Sequence, residues 1–425
     1  MPNSVENLIQ RRFLSNSVIS VTDQFLGLFL ALFITSMLAR HFGPATLGNY
    51  TLALALTSLV SVATNFGIQT TVKRSVARDS GVTGFQIGQS VIIRCLISLP
   101  CSVILVHILA QAMQFSFELI LLCHFVNLWI FASGLFALIS GVLVSLHLNR
   151  SLLGFNLAYR VVNLALLSLV MYLEDSLESY MVCLTLITLL VFIGGVRSVT
   201  KATQSACWKP DWNFILKLLV TSAPLTLAAA VEFANLKIDS LILGYYQSTE
   251  EVGFYAAAFN VALAFTMVPL AVTKVFFPNF IDAFNNDNKK KAVRLFINIF
   301  IIFLIYGLVS ASSLYFFSDI PVGILFGDDY HRTASVLVVL GISIPIIVLN
   351  RLTNYMLIAL NLDSRFFYLT LSGLAVNVIL NILLIPEYSI YGAAVATIAC
   401  EFLVLIMGLM VLYSKLRLEL NAKNT

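Results

Sequence analysis

Long runs of apolar residues alternate with short polar stretches along almost the whole chain. Twelve runs are long enough to cross a bilayer as helices, because a spanning helix needs about 20 apolar residues. They lack the period-two alternation that the wall of a membrane β-barrel requires. The pattern therefore predicts an all-α integral membrane protein. The predicted spans are residues 14–38, 47–68, 88–111, 118–146, 152–173, 180–199, 214–244, 252–278, 293–317, 333–360, 366–385 and 389–414.

The basic residues between the spans assign an orientation. Of the 25 lysines and arginines, 18 lie in the N-terminal segment, the even-numbered connections or the C-terminal tail. The odd-numbered connections hold only Arg40 and Arg332. Cytoplasmic loops of membrane proteins carry an excess of basic residues, so we expect a multi-pass protein with both termini in the cytoplasm.

A similar turn occurs in both halves of the chain. LARHFGPATLGNYTLALAL, residues 38–56, joins spans 1 and 2, and LILGYYQSTEEVGFYAAAFNVAL, residues 241–263, joins spans 7 and 8. Six spans separate the turns, and an even number places both on the same side, as in parallel repeats. This predicts two six-helix bundles related by a pseudo-two-fold axis along the membrane normal, with lobes at 1–208 and 209–425. Chance recurrence of a common turn is the alternative.

Composition agrees with a membrane location and narrows the chemistry. The chain is 59% hydrophobic and 11% charged, against about 25% charged residues in soluble domains. The net charge of +4 is modest and the basic residues are dispersed, which argues against a nucleic-acid partner. We find no GxxxxGK[ST] or HExxH motif and no clustered cysteines, so we expect no cofactor, no metal site and no ATP-driven phosphate loop.

Nine charged side chains nevertheless lie inside the predicted spans. A charge at the bilayer centre costs about 2.5–3.5 kcal/mol even on the lenient insertion scale. We therefore expect these groups to face a water-filled cavity or to pair with one another. Arg94 and Lys274, nearer the cytoplasmic ends of their spans, can also extend to the interface. The nine residues are Arg94, Arg160, Lys237, Lys274, Arg351, Asp23, Glu232, Asp239 and Glu401.

The acids are candidates for ion coupling. Glu232, Asn235 and Asp239 follow one another at i, i+3 and i+7 in the seventh span, which places them on one helical face. Asp23 lies midway along the first span. A desolvated carboxylate suits a proton carrier, whereas a carboxylate beside an arginine is a static salt bridge. The sequence leaves both possibilities open.

Four stretches resemble bacterial polysaccharide flippases of the Wzx type, which belong to the multidrug/oligosaccharidyl-lipid/polysaccharide exporter superfamily. The stretches are LARHFGPATLGNYTLALAL…NFGIQTTVKRSVARD at 38–79, LKIDSLILGYYQSTEEVGFYAAAFNVAL at 236–263, GILFGDDYHRTASVLVVLGISIP at 323–345 and NVILNILLIPEYSIYGAAVATIACEF at 377–402. One departure is Ser389, where the family often has glycine, which concerns the local turn geometry.

The resemblance implies a two-lobed, MATE-like flippase and not an enzyme. It would move an undecaprenyl-diphosphate-linked oligosaccharide from the inner to the outer leaflet of the bacterial cytoplasmic membrane by alternating access. A proton or sodium gradient would drive it, and a polysaccharide polymerase and a chain-length regulator are further expected partners. Arginine suits a diphosphate through bidentate bonds, and carboxamides suit a sugar. The predicted sites are Arg160, Arg351, Arg94, Lys237 and Lys274 for the diphosphate, Asn163, Asn235, Asn350 and Asn354 for the sugar, and Asp23, Glu232 and Asp239 for ion coupling.

Two other functions stay open. An ion-coupled drug exporter of the same superfamily would favour an acidic, aromatic cavity, whereas the spans hold five cations against four acids. A membrane polymerase or ligase of the same pathway usually carries a large outer loop. The longest polar connection here, NFIDAFNNDNKKKAVR at 279–294, is short.

Overall fold

The part of the chain that the computed structural model describes is mainly α-helical. That part comprises residues 2–79, 81, 83–146, 148–173, 176–203, 209–285 and 289–421. The α-helices are α1 (Pro2–Thr64), α2 (Ile68–Arg78), α3 (Thr83–Ile93), α4 (Leu99–Ala112), α5 (Phe117–Ser145), α6 (Asn149–Tyr172), α7 (Leu177–Thr203), α8 (Trp212–Tyr246), α9 (Thr249–Asn285), α10 (Lys289–Phe317), α11 (Asp319–Leu325), α12 (His331–Gly341), α13 (Ser343–Ala359) and α14 (Asp363–Asn421). A π-helical turn, Arg94–Ser98, joins α3 to α4, and a 3-10 turn, Asp328–Tyr330, precedes α12.

Among the described residues, eight helical segments are long and apolar enough to cross a membrane. The number is nine if Asp328–Gly341 and Ser343–Ala359, bent by 49°, form one span. The predicted all-α membrane protein is thus confirmed, whereas the count of twelve spans and the pseudo-two-fold axis stay predictions. The predicted seventh span lies in α8, of which Trp212–Ala223 counts as a shorter apolar helix when only the described residues are considered.

Two of the eight segments are much longer than a bilayer requires, and each contains a break. Leu26–Thr64 is interrupted at Gly43, which has a φ of 78° that glycine adopts without cost. The 55-residue segment Asp363–Arg417 is interrupted at Ser389, with a φ of 50° and a ψ of −130°. A side chain in such a conformation costs about 1–3 kcal/mol. The Ser389 hydroxyl donates to Glu251 Oε2 at 3.1 Å, which offsets part of this strain.

Contacts divide the chain into two compact units. The first unit comprises Met1–Ile34 and Ala53–Phe233, and the second comprises Thr35–Leu52 and Ala234–Thr425. In the first unit, α2, α3, α5 and α7 share an apolar core. In the second, α9, α10, α12, α13 and α14 pack together. The predicted lobes at 1–208 and 209–425 stay a prediction.

The two similar turns pack against each other in the second unit. Gly48 lies against the Thr249 carbonyl, and Gly253 lies against the Pro44 carbonyl. The contact is reciprocal, because each carbonyl belongs to the residue four positions before the glycine of its own turn. A Cβ at either glycine would overlap the facing backbone. The glycines therefore recur in the sequence because each permits the approach of the other turn.

The two basic residues of the odd-numbered connections have partners within the second unit. Arg40 donates to the last three carbonyls of α11 at 2.7–3.0 Å. These carbonyls carry the partial negative charge of the helix C-terminus. Arg332 forms an ion pair with Glu251. Structural contacts thus account for the two exceptions to the basic-residue asymmetry.

The reciprocal glycine contact predicts that Gly48→Ala and Gly253→Ala each destabilise the fold, because the added methyl group meets backbone that cannot rotate away. We expect a loss of about 1–3 kcal/mol for each. Thermal unfolding of the purified protein in detergent measures it. Gly154→Ala is the matched control, since nothing lies within 4 Å of a Cβ at Gly154. Equal melting temperatures for the three variants would contradict the packing argument.

Candidate functional site

The first of three polar clusters joins α1 to α6 in the first unit. Arg160 Nη1 donates to Asp23 Oδ1 at 2.6 Å, and Nη2 donates to the Asp23 carbonyl at 3.0 Å. Asn156, one turn before Arg160, donates to the other carboxylate oxygen at 2.8 Å. A Cβ at Gly27 would lie 2.6 Å from Arg160 Nη2, so this glycine makes room for the guanidinium. Arg160, predicted for diphosphate binding, is therefore in direct contact with Asp23, predicted for ion coupling.

This ion pair is partly accessible to solvent. The side chains of Arg160 and Asp23 are 17% and 20% exposed. An ion pair at this depth is neither screened as at a surface nor sealed from water. The arrangement balances the charge of Arg160 while leaving the pair within reach of a polar ligand.

The second cluster surrounds Asp239 in the second unit, where α8, α9 and α14 meet. Asn381 donates to Asp239 Oδ1 at 2.7 Å, whereas Thr397 and Tyr255 lie 3.0 and 3.1 Å from Oδ2. Asn381 also donates to Asn377 Oδ1 at 2.8 Å. Asp239 is only 4% exposed. In the described part of the chain, the hydrogen-bond partners of this buried carboxylate are thus neutral.

Oxygen atoms predominate in the Asp239 cluster. Asn381 Oδ1 is buried and has no hydrogen-bond partner among the described residues. Carboxylate, carboxamide and hydroxyl oxygens are the ligands that hard cations prefer, and a buried carboxylate can also take up a proton. The cluster can therefore hold a small cation or a proton.

The third cluster joins α13 to α14 in the second unit. Asn350 Nδ2 donates to Glu401 Oε2 at 2.5 Å and to the Glu401 carbonyl at 2.8 Å. The neighbouring Arg351 interacts electrostatically with the Glu401 carboxylate. Asn350 is 3% exposed, whereas Arg351 is half-buried. Two predicted ligands thus flank a carboxylate that the sequence analysis left without a role.

Other predicted residues on α6 and α8 lie apart from these clusters. Asn163 is buried and accepts a hydrogen bond from Tyr180 at 2.7 Å. Asn235 donates to the Thr370 carbonyl at 3.0 Å, so it faces α14 as Asp239 does. Glu232, on the same helical face in the sequence pattern, is exposed.

The remaining predicted ligands are four residues on different elements. Lys237 and Asn354 are half-buried. Arg94 is only 1% exposed, so its side chain is covered by other parts of the protein. The side chain of Lys274 lies outside the described residues.

Sequence reasoning missed several residues that complete the clusters. Asn156 precedes Arg160 by four residues, and Asn377 precedes Asn381 by four. Polar residues at this spacing within apolar helices were the available signal, since such pairs share a helical face. Tyr255 belongs to the Gly-x-Tyr motif of the second turn, but the motif alone does not indicate a carboxylate partner.

Comparison with known proteins identifies relatives in both sequence and structure. Residues 13–284 match the family described as "Polysaccharide biosynthesis protein". "Probable flippase AglR" of Haloferax volcanii is 31% identical over 167 residues, which cover 38% of this chain and 34% of that protein. "Probable low-salt glycan biosynthesis flippase Agl15" of the same organism is 27% identical over 161 residues, with the same two coverages of 38% and 34%. The chain thus spans about a third of the length of these two curated relatives.

Solved transporters share the fold. The lipid II flippase MurJ in an inward closed conformation matches with a TM-score of 0.76 at 16% identity, over 93% of this chain and 87% of that one. An inward-facing multidrug resistance MATE family transporter of the MOP superfamily matches with a TM-score of 0.66 at 14% identity, over 96% of each chain. These similarities confirm the MATE-like fold class.

The Asp23–Arg160 pair predicts coupled effects on stability. Asp23→Asn or Arg160→Gln alone leaves one charge without its partner. The loss of stability in the double variant should therefore be smaller than the sum of the two single losses. We expect a coupling of about 1–2 kcal/mol for this partly exposed pair. Thermal unfolding of the four proteins in detergent measures it. Asp23→Asn combined with Arg150→Gln, at an exposed arginine, is the additive control. Additivity in both combinations would contradict the pairing.

Proposed function

Because this chain belongs to the polysaccharide biosynthesis protein family, we propose that it flips lipid-linked oligosaccharides. The substrate is an undecaprenyl-diphosphate-linked repeat unit of a polysaccharide such as O-antigen. It moves from the inner to the outer leaflet of a bacterial cytoplasmic membrane in which both termini face the cytoplasm. The family match carries this proposal. Relatives named as flippases and the fold shared with a lipid II flippase support it.

A diphosphate head group cannot cross hydrocarbon unaided, so the pathway must supply compensating charge. In the proposal, Arg160 and Arg351 bind the diphosphate, and Lys237 and Lys274 add positive charge. Arginine matches phosphate oxygens with two parallel bonds, as it matches a carboxylate. The diphosphate therefore competes with Asp23 for Arg160 and with Glu401 for Arg351. Partial exposure of the Asp23–Arg160 pair supports such an exchange.

The sugar is proposed to bind to carboxamides and the prenyl tail to remain in lipid. Asn354 and Asn235 are half-buried, which suits contact with a hydrated ligand. Asn163 and Asn350 are buried and already hydrogen-bonded to protein, so their contribution requires rearrangement. The lobes at 1–208 and 209–425 would open in turn to the two sides of the membrane.

Ion coupling is assigned to acids, with Asp239 as the principal candidate and Asp23 and Glu232 as further ones. Asp239 is buried among neutral donors, and the nearby Asn381 Oδ1 has no hydrogen-bond partner among the described residues. A cation or proton bound there would neutralise the buried carboxylate. Sodium or a proton entering this cluster would bias one conformation over the other, because a ligand shifts the equilibrium by its differential affinity.

The proposed activity predicts trapped substrate after gene deletion. Cells of the source organism without this protein should accumulate lipid-linked repeat units on the cytoplasmic leaflet and lose surface glycan. Glycan immunoblotting and leaflet-selective enzymatic labelling of the lipid-linked sugar measure both. Arg160→Ala and Arg351→Ala should fail to restore export although they insert in the membrane, whereas Arg150→Ala should restore it. Normal surface glycan after deletion would refute the function, and export by both arginine variants would refute the anion sites.

The Asp239 cluster predicts a cation response that Asp239→Asn abolishes. Purified protein is compared in sodium chloride and choline chloride at constant pH, and across pH in choline chloride. We expect a higher melting temperature with sodium, by roughly 2–4 °C, or a pH dependence that sodium does not alter. Asp363→Asn, at an exposed acid at the start of α14, is the control that should respond as the wild type. A response retained by Asp239→Asn would remove Asp239 from ion coupling.

A further inference from the structure

Two histidines of the first unit lie beside each other, one on α4 and one on α5. His107 Nδ1 and His124 Nε2 are 3.4 Å apart. The centroids of the two rings are 5.6 Å apart, and the ring planes differ by 20°. The sequence spacing concealed this pair, because 17 positions and the connection between two helices separate its members.

The packing of α4 against α5 brings the two imidazoles together. The helices are joined by the short connection 113–116. Asn127 Nδ2 of α5 donates to Ser102 Oγ of α4 at 3.1 Å, and both residues are buried. His107 follows Ser102 by five residues, and His124 precedes Asn127 by three, as antiparallel helices in this register require. The histidines are therefore positioned by two packed helices and not by a loop.

The pair lies where water can reach it. Helix α5 has 29 residues and is about 43 Å long, whereas the hydrocarbon core is about 30 Å thick. His107 precedes the end of α4 by five residues, and His124 follows the start of α5 by seven. Both histidines thus lie about 7–11 Å from the helix ends, close to the boundary between hydrocarbon and head groups. His107 is exposed and His124 is half-buried.

The separation of the two nitrogen atoms suits a shared metal ion. Zinc binds imidazole nitrogen at about 2.0–2.1 Å, so two nitrogens on one tetrahedral zinc ion are about 3.3 Å apart. The observed 3.4 Å matches this value. It is longer than the roughly 2.7–3.2 Å of an ordinary hydrogen bond from an N–H group. Neutral imidazole is a preferred ligand of zinc, copper and nickel.

Gln111 contacts the ring nitrogen of His107 that points away from His124. Its carboxamide nitrogen lies 3.1 Å from His107 Nε2. A half-turn of the carboxamide exchanges its nitrogen for its oxygen, which can accept a hydrogen bond from Nε2–H. His107 Nδ1 then directs its lone pair toward His124. Histidines that bind metals usually donate their other ring N–H to such an acceptor, so Gln111 can orient His107 as a ligand.

We propose that His107 and His124 bind a divalent metal ion of the class that prefers imidazole, zinc in physiological media. His107 Nδ1 and His124 Nε2 are the protein ligands. No group of three or more histidines, cysteines or acids suited to a metal is found among the described residues, so water completes the coordination. The pair shares no residue with the three polar clusters, and the inference does not depend on the flippase function.

The first test is the thermal stability of the purified full-length protein, without a histidine tag and after removal of metals by a chelator. Sodium concentration, ionic strength and pH are held constant while zinc chloride is added. We expect a saturable rise in melting temperature of about 2 °C when zinc is in tenfold excess over its dissociation constant. Magnesium, which prefers oxygen ligands, should have no such effect. A melting temperature that zinc does not raise would overturn the proposal.

Histidine variants locate the response. His107→Gln and His124→Gln each remove one of the two ligands, so each should raise the half-saturating zinc concentration at least tenfold, since even loss of an outer-shell partner costs about 10–100-fold. His41→Gln, at an exposed histidine of α1, is the matched control that should respond as the wild type. A zinc response retained by both ligand variants would refute the site.

Copper reports the ligands directly. One equivalent of Cu²⁺ is added to the metal-free protein, and pulsed electron paramagnetic resonance counts the bound imidazoles. We expect two imidazoles in the wild type and one in either ligand variant. A single imidazole in the wild type would overturn the paired site and leave His107 and His124 as a hydrogen-bonded pair.

Variants of the exposed Gln111 decide the matter if the histidine variants do not fold. Gln111→Glu should tighten zinc binding, because a carboxylate accepts the hydrogen bond from His107 Nε2–H more strongly. Gln111→Leu should weaken zinc binding by about tenfold, because it removes the acceptor. Equal zinc affinities in these two variants and the wild type would refute the site.

Discussion

A charge inside hydrocarbon must be paired or hydrated, and four charged groups in the described part of this protein have different surroundings. Arg160 has a carboxylate partner on another helix. Asp239 is held by a carboxamide and two hydroxyl groups. Glu401 combines a hydrogen-bonded carboxamide with the nearby charge of Arg351. Among the residues that the structure describes, Arg94 has one neutral acceptor, Asn65, and no hydrogen-bond partner for its Nε. The partners of each charged side chain, more than the fold, distinguish a static ion pair from a group that can bind a ligand.

In an ion pair near solvent, one partner can be replaced by another ion of the same charge. Such an exchange is how the Asp23–Arg160 pair could take part in the proposed transport. A carboxylate and a phosphate present similar oxygen geometry to a guanidinium, so an arginine held by a carboxylate is preorganised for an anionic substrate. The same carboxylate, once released, can bind a cation or a proton. Substrate binding and ion coupling can therefore act through one pair of residues, as proposed for Asp23 and Arg160.

The fold alone does not separate a flippase from a drug exporter. The chain shares its architecture with both a lipid II flippase and a MATE family transporter, and one fold can carry different substrates. Membership of the polysaccharide biosynthesis protein family favours a substrate of polysaccharide synthesis over a drug. The arginines within the helices agree with the proposed diphosphate substrate, because an anionic head group would need positive charge along its path.

The sequence by itself determined the helical membrane class, the connections at 39–46 and 386–388 in or beside which the helices break at Gly43 and Ser389, and the charged residues whose burial needs compensation. These properties are local, because hydropathy and turn chemistry are read within one helix or one connection. Tertiary structure decided which charged groups are paired. Asp23 and Arg160 are 137 residues apart, and Asp239 and Asn381 are 142 apart. Such contacts depend on which helices pack together. The periodicity of one helix shows which of its faces is buried but not which helix packs against that face.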